Sequence, residues 1–136
     1  GGRSPTAVIN VAGAAFDDRH APPARAYLNV RVEDSTDASM PFADIFGFVS
    51  ATVGRPDRFF DVASPVPDPS DSDAVLLVHC RGAHSRSLAV AVALFVRFGG
   101  VELRDALAFT KRMRGLLHIN RGFLEQLATV RPLASD

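Results

Sequence analysis

The stretch Val75-Leu76-Leu77-Val78-His79-Cys80-Arg81-Gly82-Ala83-His84-Ser85-Arg86-Ser87 decides how this chain is read. An apolar run with the character of a buried strand ends at Cys80, the only cysteine in the sequence. Arg86 follows after five small or polar residues, just ahead of the helix-like run Leu88-Ala89-Val90-Ala91-Val92-Ala93-Leu94-Phe95. A thiol and a guanidinium set between strand and helix describe an anion-binding loop with a nucleophile at its base. The following helix would aim its free N–H groups and positive dipole end into that loop. The same field favours thiolate over thiol. A lone cysteine after a strand is ordinarily a small buried hydrophobe, but that reading leaves the crowding of Arg81, His84 and Arg86 around it unexplained.

Outward from this turn, the flanking pattern predicts an α/β domain with a central, mainly parallel sheet flanked by helices. Residues 7–11 and 27–32 read as β-rich strands and 74–78 as the strand before the turn. Residues 12–24 read as a loop and 33–39 as a polar surface loop. A helix is expected from Met40, with Pro41 in its first turn and Phe42, Ile45, Phe46 and Val49 on one face. Residues 55–73, with four prolines and Ser-Asp repeats, read as an exposed insertion. Helices are expected over 86–98, closed by Gly99-Gly100, over 102–114, and over 121–130. The second of these has Leu103, Ala106 or Leu107, Thr110 and Met113 at helical spacing, and the third has Phe123, Leu124, Leu127 and Val130.

At 136 residues the chain reads as one domain, residues 1–136, able to bury a single core. Formal net charge is zero, so no global field draws it to nucleic acid or an anionic membrane. Lys111 is the only lysine; the other basic residues are arginines. One cysteine excludes an internal disulfide and fits a reducing compartment, with a cytoplasmic or also nuclear location expected. No run reaches the length of a membrane span, and the first residues do not read as a signal peptide. No His/Asp/Glu cluster has metal-ligand spacing, so neither metal nor cofactor is expected. The sequence leaves the oligomeric state open.

His79-Cys80-x-x-x-x-x-Arg86-Ser87 resembles the signature of cysteine-dependent protein phosphatases, in particular their small dual-specificity branch. Ala26-Tyr27-Leu28-Asn29-Val30-Arg31-Val32-Glu33-Asp34 resembles the strand and acid-bearing loop of that family. Gly115-Leu116-Leu117-His118-Ile119-Asn120-Arg121-Gly122-Phe123-Leu124-Glu125-Gln126-Leu127 resembles its closing segment and last helix. The likeness runs from about residue 7 to about residue 130. It implies a phosphatase that acts on phosphotyrosine and on phosphoserine or phosphothreonine in phosphoprotein substrates through a cysteinyl-phosphate intermediate. Tyrosine-only members are larger and have deeper pockets. The alternatives are a phosphoinositide or RNA 5′-phosphatase of the same fold, or a weakly active phosphate-binding scaffold.

The resemblance also assigns roles. Cys80 is the expected nucleophile. A free thiol is only about 3% ionised at neutral pH, so a lowered pKa gives about thirty-fold more nucleophile. Arg86 offers a planar fork for two phosphoryl oxygens. Arg81, Gly82, Ala83, His84, Ser85 and Arg86 supply the loop amides that surround the phosphate. His79 would order the loop, and Ser87 would donate to the departing sulfur, or simply cap the helix. Asp34 matches the general acid, with Glu33 and Asp37 close enough to compete. Asn120 is expected to brace the phosphate loop, to cap the last helix, or both.

Two departures stand out. The family usually has glycine where this chain has Ala83, with Gly82 one place earlier, and Ile119 stands where many relatives have proline. The family also has a further strand and helix ahead of the position of Ala7. Here only six residues precede it, so either the sequence is truncated or the sheet lacks an edge.

Overall fold

Ala7–Asn10 (β1) is buried along its whole length, which an apolar run with no polar alternation requires of a strand covered on both faces. In the computed structural model, which describes residues 7–11, 26–60, 76–79, 85–115 and 117–133, β1 is the middle strand of three. The side chains of Arg58, Leu76, Leu77 and His79 are outside that description. Ala26–Asn29 (β2) and Leu76–His79 (β3) flank β1, both parallel to it, in the order β2-β1-β3. The strand expected over 27–32 is therefore shorter and begins one residue earlier. A last bond from Val30 N to Asn10 O, at 2.8 Å, precedes the departure of the chain from the sheet. The strand expected over 74–78 reaches on to His79, and residues 74 and 75 lie outside the description. Register pairs Asn10 with both Asn29 and His79, so three polar residues share the carboxyl edge of the sheet. Parallel strands bind ligands beyond that edge.

Phe42–Thr52 (α1) begins two residues later than expected, and Pro41 is its N-cap rather than part of its first turn. Ile45 and Val49 are fully buried, and Phe46 stacks on Phe42 and meets the ring of Phe98 edge-on at 5.9 Å. The expected insertion over 55–73 needs a correction at its start. Pro56–Phe59 forms one helical turn (α2), and Phe60 is buried against Phe95 and Phe98. Proline and charge density pointed to a loop, but the adjacent rings of Phe59 and Phe60 anchor the segment to the core. Residues 61–75 lie outside the description.

Ser85–Arg97 (α3) is the central helix, packed against β3, α1 and the two helices that follow. Every residue from Ser85 to Val90 is buried. A helix apolar nearly all round has to be enclosed by its neighbours. Gly100, at φ 71°, ends it as the Gly-Gly pair predicted. Leu103–Arg114 (α4) buries Ala106 and Thr110 and closes on Gly115 at φ 78°. Met113, expected on the inner stripe, is 62% exposed. The whole last turn, 111–114, faces solvent, so the stripe runs out of partners before reaching it. Arg121–Leu127 (α5) is shorter than expected; it buries Phe123 and Leu127 while Leu124, assigned to the same face, lies at the surface. Leu124 follows Phe123 by about 100° around the helix, too far to share its contact.

Candidate active site

At the carboxyl edge of the sheet the chain passes from His79, the last residue of β3, to Ser85, the first of α3. Cys80, Arg81, Gly82, Ala83 and His84, the residues between them, lie outside the described residues, as does the His79 side chain. The expectations that fall on them, including the backbone conformation at Ala83, are therefore carried by sequence alone. What can be built is the frame around them.

Three residues of that frame are the first turn of α3. Ser85 is completely buried, and Arg86 and Ser87 are nearly so, with 8% and 9% exposure. A buried guanidinium is costly unless hydrogen-bonded. Nη1 of Arg86 donates to the carbonyl oxygen of Val32 at 3.0 Å, across 54 positions of sequence. That bond ties the start of α3 to the segment leaving β2. Two residues beyond Val32 comes Asp34, exposed to solvent.

Asn120 joins the pieces. Its backbone N–H donates to Ser85 Oγ at 2.9 Å, its Nδ2 donates to Asp34 Oδ1 at 2.8 Å, and its Oδ1 accepts from Phe123 N at 2.9 Å. It is thus the N-cap of α5 and at the same time the link between the acid-bearing loop and the start of α3. Its direct side-chain contact is with Asp34, and its tie to the expected phosphate-binding residues runs through its own backbone and Ser85. Among the described residues, Asp34 is the one carboxylate of Glu33, Asp34 and Asp37 held by a side-chain donor. Geometry therefore separates Asp34 from its two competitors.

Sequence reasoning missed the rest of the scaffold under this loop. Gln126 Oε1 accepts from Met40 N at 2.7 Å, and its Nε2 donates to the carbonyl oxygens of Ala38 at 2.8 Å and Gly122 at 3.1 Å. Gly122 packs on the backbone of Thr36 so closely that a Cβ there would overlap the Thr36 carbonyl. A signal for Gln126 was present: it is a polar residue on the apolar stripe of Phe123, Leu127 and Val130.

Among the described residues, no group of three or more His, Cys, Asp or Glu could hold a metal ion, and no helix is long and apolar enough to cross a membrane. This arrangement brings a carboxylate and a buried arginine to the end of a parallel sheet beside a helix N-terminus. Such a site can bind an oxyanion and exchange a proton with it.

Comparison with known proteins gives the frame a family. No protein-family model matches the chain. Mouse dual specificity protein phosphatase 18 is 36% identical over 80 residues, which is 58% of this chain and 43% of that protein. Its human counterpart is 31% identical over 101 residues, covering 74% of this chain and 50% of that protein. The chain thus spans about half the length of the curated relatives it matches. Among solved structures, human DUSP28 superposes with a TM-score of 0.66 at 25% identity, over 94% of this chain and 75% of that one. A mouse dual specificity phosphatase complexed with zinc tungstate gives the same score and identity, over 94% and 70%. By sequence and by fold, this chain belongs to the dual-specificity protein phosphatase family.

Proposed function

We propose that this chain is a catalytic domain that hydrolyses phosphotyrosine and phosphoserine or phosphothreonine in proteins, in two steps through Cys80. In the first step the Cys80 thiolate attacks phosphorus and the bond to the leaving oxygen breaks, while Asp34 passes that oxygen a proton. In the second, water attacks the cysteinyl-phosphate, Asp34 takes back a proton from it, and the phosphorus–sulfur bond breaks to return the thiolate and release inorganic phosphate. Arg86 stabilises the charge on the phosphoryl oxygens, and the Ser87 hydroxyl donates to the departing sulfur.

One observation carries the reading: Asn120 joins Asp34 to Ser85, beside Arg86, directly after the Cys80 loop in sequence. A carboxylate that must reach the leaving oxygen is tied to the helix that receives the phosphate. Supporting it, the relatives are dual specificity phosphatases, and tungstate is a tetrahedral oxyanion like phosphate. The partner is then a phosphoprotein. With zero net charge and one cysteine, the protein suits a reducing, cytoplasmic setting and has no bias towards nucleic acid.

The test is steady-state hydrolysis of an aryl phosphate and of matched phosphotyrosine, phosphoserine and phosphothreonine peptides, beside phosphoinositides. Wild-type protein is expected to turn over the peptides, in EDTA as well as without it, and Cys80→Ser to retain phosphate binding but lose turnover. More than a few per cent residual activity in Cys80→Ser would remove the nucleophile assignment. Turnover confined to phosphoinositides would move the substrate class.

A further inference from the structure

Between two buried anchors, Val32 and Met40, the acid-bearing segment is mostly solvent-facing and has no regular secondary structure of its own. Such a segment has little to hold a carboxylate within the fraction of an ångström that proton transfer demands. Helix α5 meets this need along its length. Asp34 is tied to Asn120, Thr36 packs on Gly122, and Ala38 and Met40 both bond to Gln126. The contacts advance in step, so the loop lies along α5 in one direction and in one register.

Gln126 closes the far end. Its amide spends both an acceptor and a donor on the loop backbone, and a second donor contact on Gly122 of its own helix. Only a planar amide has this pairing of groups: a carboxylate lacks the donors, and an apolar side chain lacks both. The bonds reach backbone atoms, so they fix the path of the loop regardless of its side chains. Gly122 sets the distance, because a Cβ there would push Thr36 away.

We infer that Gln126 is a positioning residue for the reaction, acting through Asp34 by clamping the acid loop to α5. The inference rests on the catalytic reading above, in which Asp34 is the proton donor. Gln126 would touch neither substrate nor phosphate. Its loss would therefore act only where protonation of the leaving group limits the rate.

The test compares wild type, Gln126→Met, Gln126→Glu, Asp34→Asn and the double variants on a phosphoserine peptide, whose leaving oxygen needs the proton, and on an activated aryl phosphate, whose leaving oxygen does not. Gln126→Met is expected to lower kcat on the peptide about ten-fold and on the aryl phosphate less than two-fold, with KM unchanged. In the Asp34→Asn background it should cause no further loss. Gln126→Glu, which keeps the size and the acceptor, supplies the same readout should the methionine variant fold poorly. Amide exchange at Met40, faster in Gln126→Met, which removes its acceptor, reads the clamp without any activity. Equal losses on both substrates, a full additional loss on top of Asp34→Asn, or wild-type kinetics in both variants would overturn the inference. Wild-type turnover no greater than that of Cys80→Ser would instead sink the catalytic reading, with the Met40 exchange still reporting on the clamp.

Discussion

Asn120 Nδ2 donates to Asp34 Oδ1 at 2.8 Å, joining two residues 86 positions apart. The same asparagine caps α5 through Phe123 N and reaches Ser85 through its own N–H. One residue thus ties Asp34, the start of α3 and the last helix together. A carboxylate on an exposed loop is ordinarily free to rotate; here one of its oxygens is engaged. The other oxygen keeps the capacity to face a leaving group.

Asp34→Asn is expected to lower the rate on alkyl phosphates by about 10² to 10⁴. On activated aryl phosphates the loss should be far smaller, because the leaving oxygen departs without a proton. Measuring kcat across leaving groups of graded basicity checks this as a steeper dependence in the variant. Equal losses on every substrate, or a harmless Asp34→Asn beside a crippling Asp37→Asn, would remove Asp34 from the role.

Replacements of Asn120 separate its two duties. Serine keeps the N-cap but is too short to span to Asp34, so Asn120→Ser should leave thermal stability nearly unchanged. It should lower turnover of poor leaving groups several-fold. Asn120→Ala also removes the cap and should cost about 1 kcal/mol more of stability. Thermal melts and leaving-group kinetics on the two variants make the comparison. Equal activity in Asn120→Ser and wild type would show that the bond to Asp34 is dispensable.

The frame of the site was legible because short-range chemistry writes it. The apolar run into His79-Cys80, the Arg86-Ser87 step and the Gly99-Gly100 stop each follow from local rules, and β3, α3 and the helix end lie within two residues of expectation. Asn120 was legible as a cap for the same reason. The clamp by Gln126 was not, because its partners lie 86 and 88 positions away and are backbone atoms that no side-chain pattern marks. Periodicity misjudged Met113 and Leu124 for a related reason: spacing gives the face of a helix, while burial depends on how far its neighbour extends. The turn at α2 was hidden by prolines and charges that outvoted Phe59 and Phe60.

Thr110 Oγ1 is buried in α4, where the residue is only 3% exposed, and has no hydrogen-bond partner among the described residues. An unmet hydroxyl in the core costs about 1–3 kcal/mol of desolvation, and valine has nearly the same shape without it. Thr110→Val is therefore expected to raise stability by about 1 kcal/mol, or about 3 °C in Tm for a domain of this size. Activity should not change, since α4 contributes no residue to the site. A lower Tm would mean that a water or a shifted rotamer satisfies the hydroxyl.

Ala83 carries the last prediction, and it rests on sequence and chemistry alone. Relatives usually have glycine at this place in a loop whose amides must all point at one anion. A left-handed backbone there costs a residue with a Cβ about 1 kcal/mol or more. Ala83→Gly would remove that cost and let the amides converge. About 1–2 kcal/mol released on phosphate binding corresponds to a gain of about five- to thirty-fold in kcat/KM. The opposing account gives the conformational duty to Gly82, one residue earlier. On that account Ala83→Gly is neutral or harmful and Gly82→Ala is the damaging change. Both variants measured on one aryl phosphate separate the accounts: a gain in the first supports strain at Ala83, and a loss confined to the second assigns the turn to Gly82.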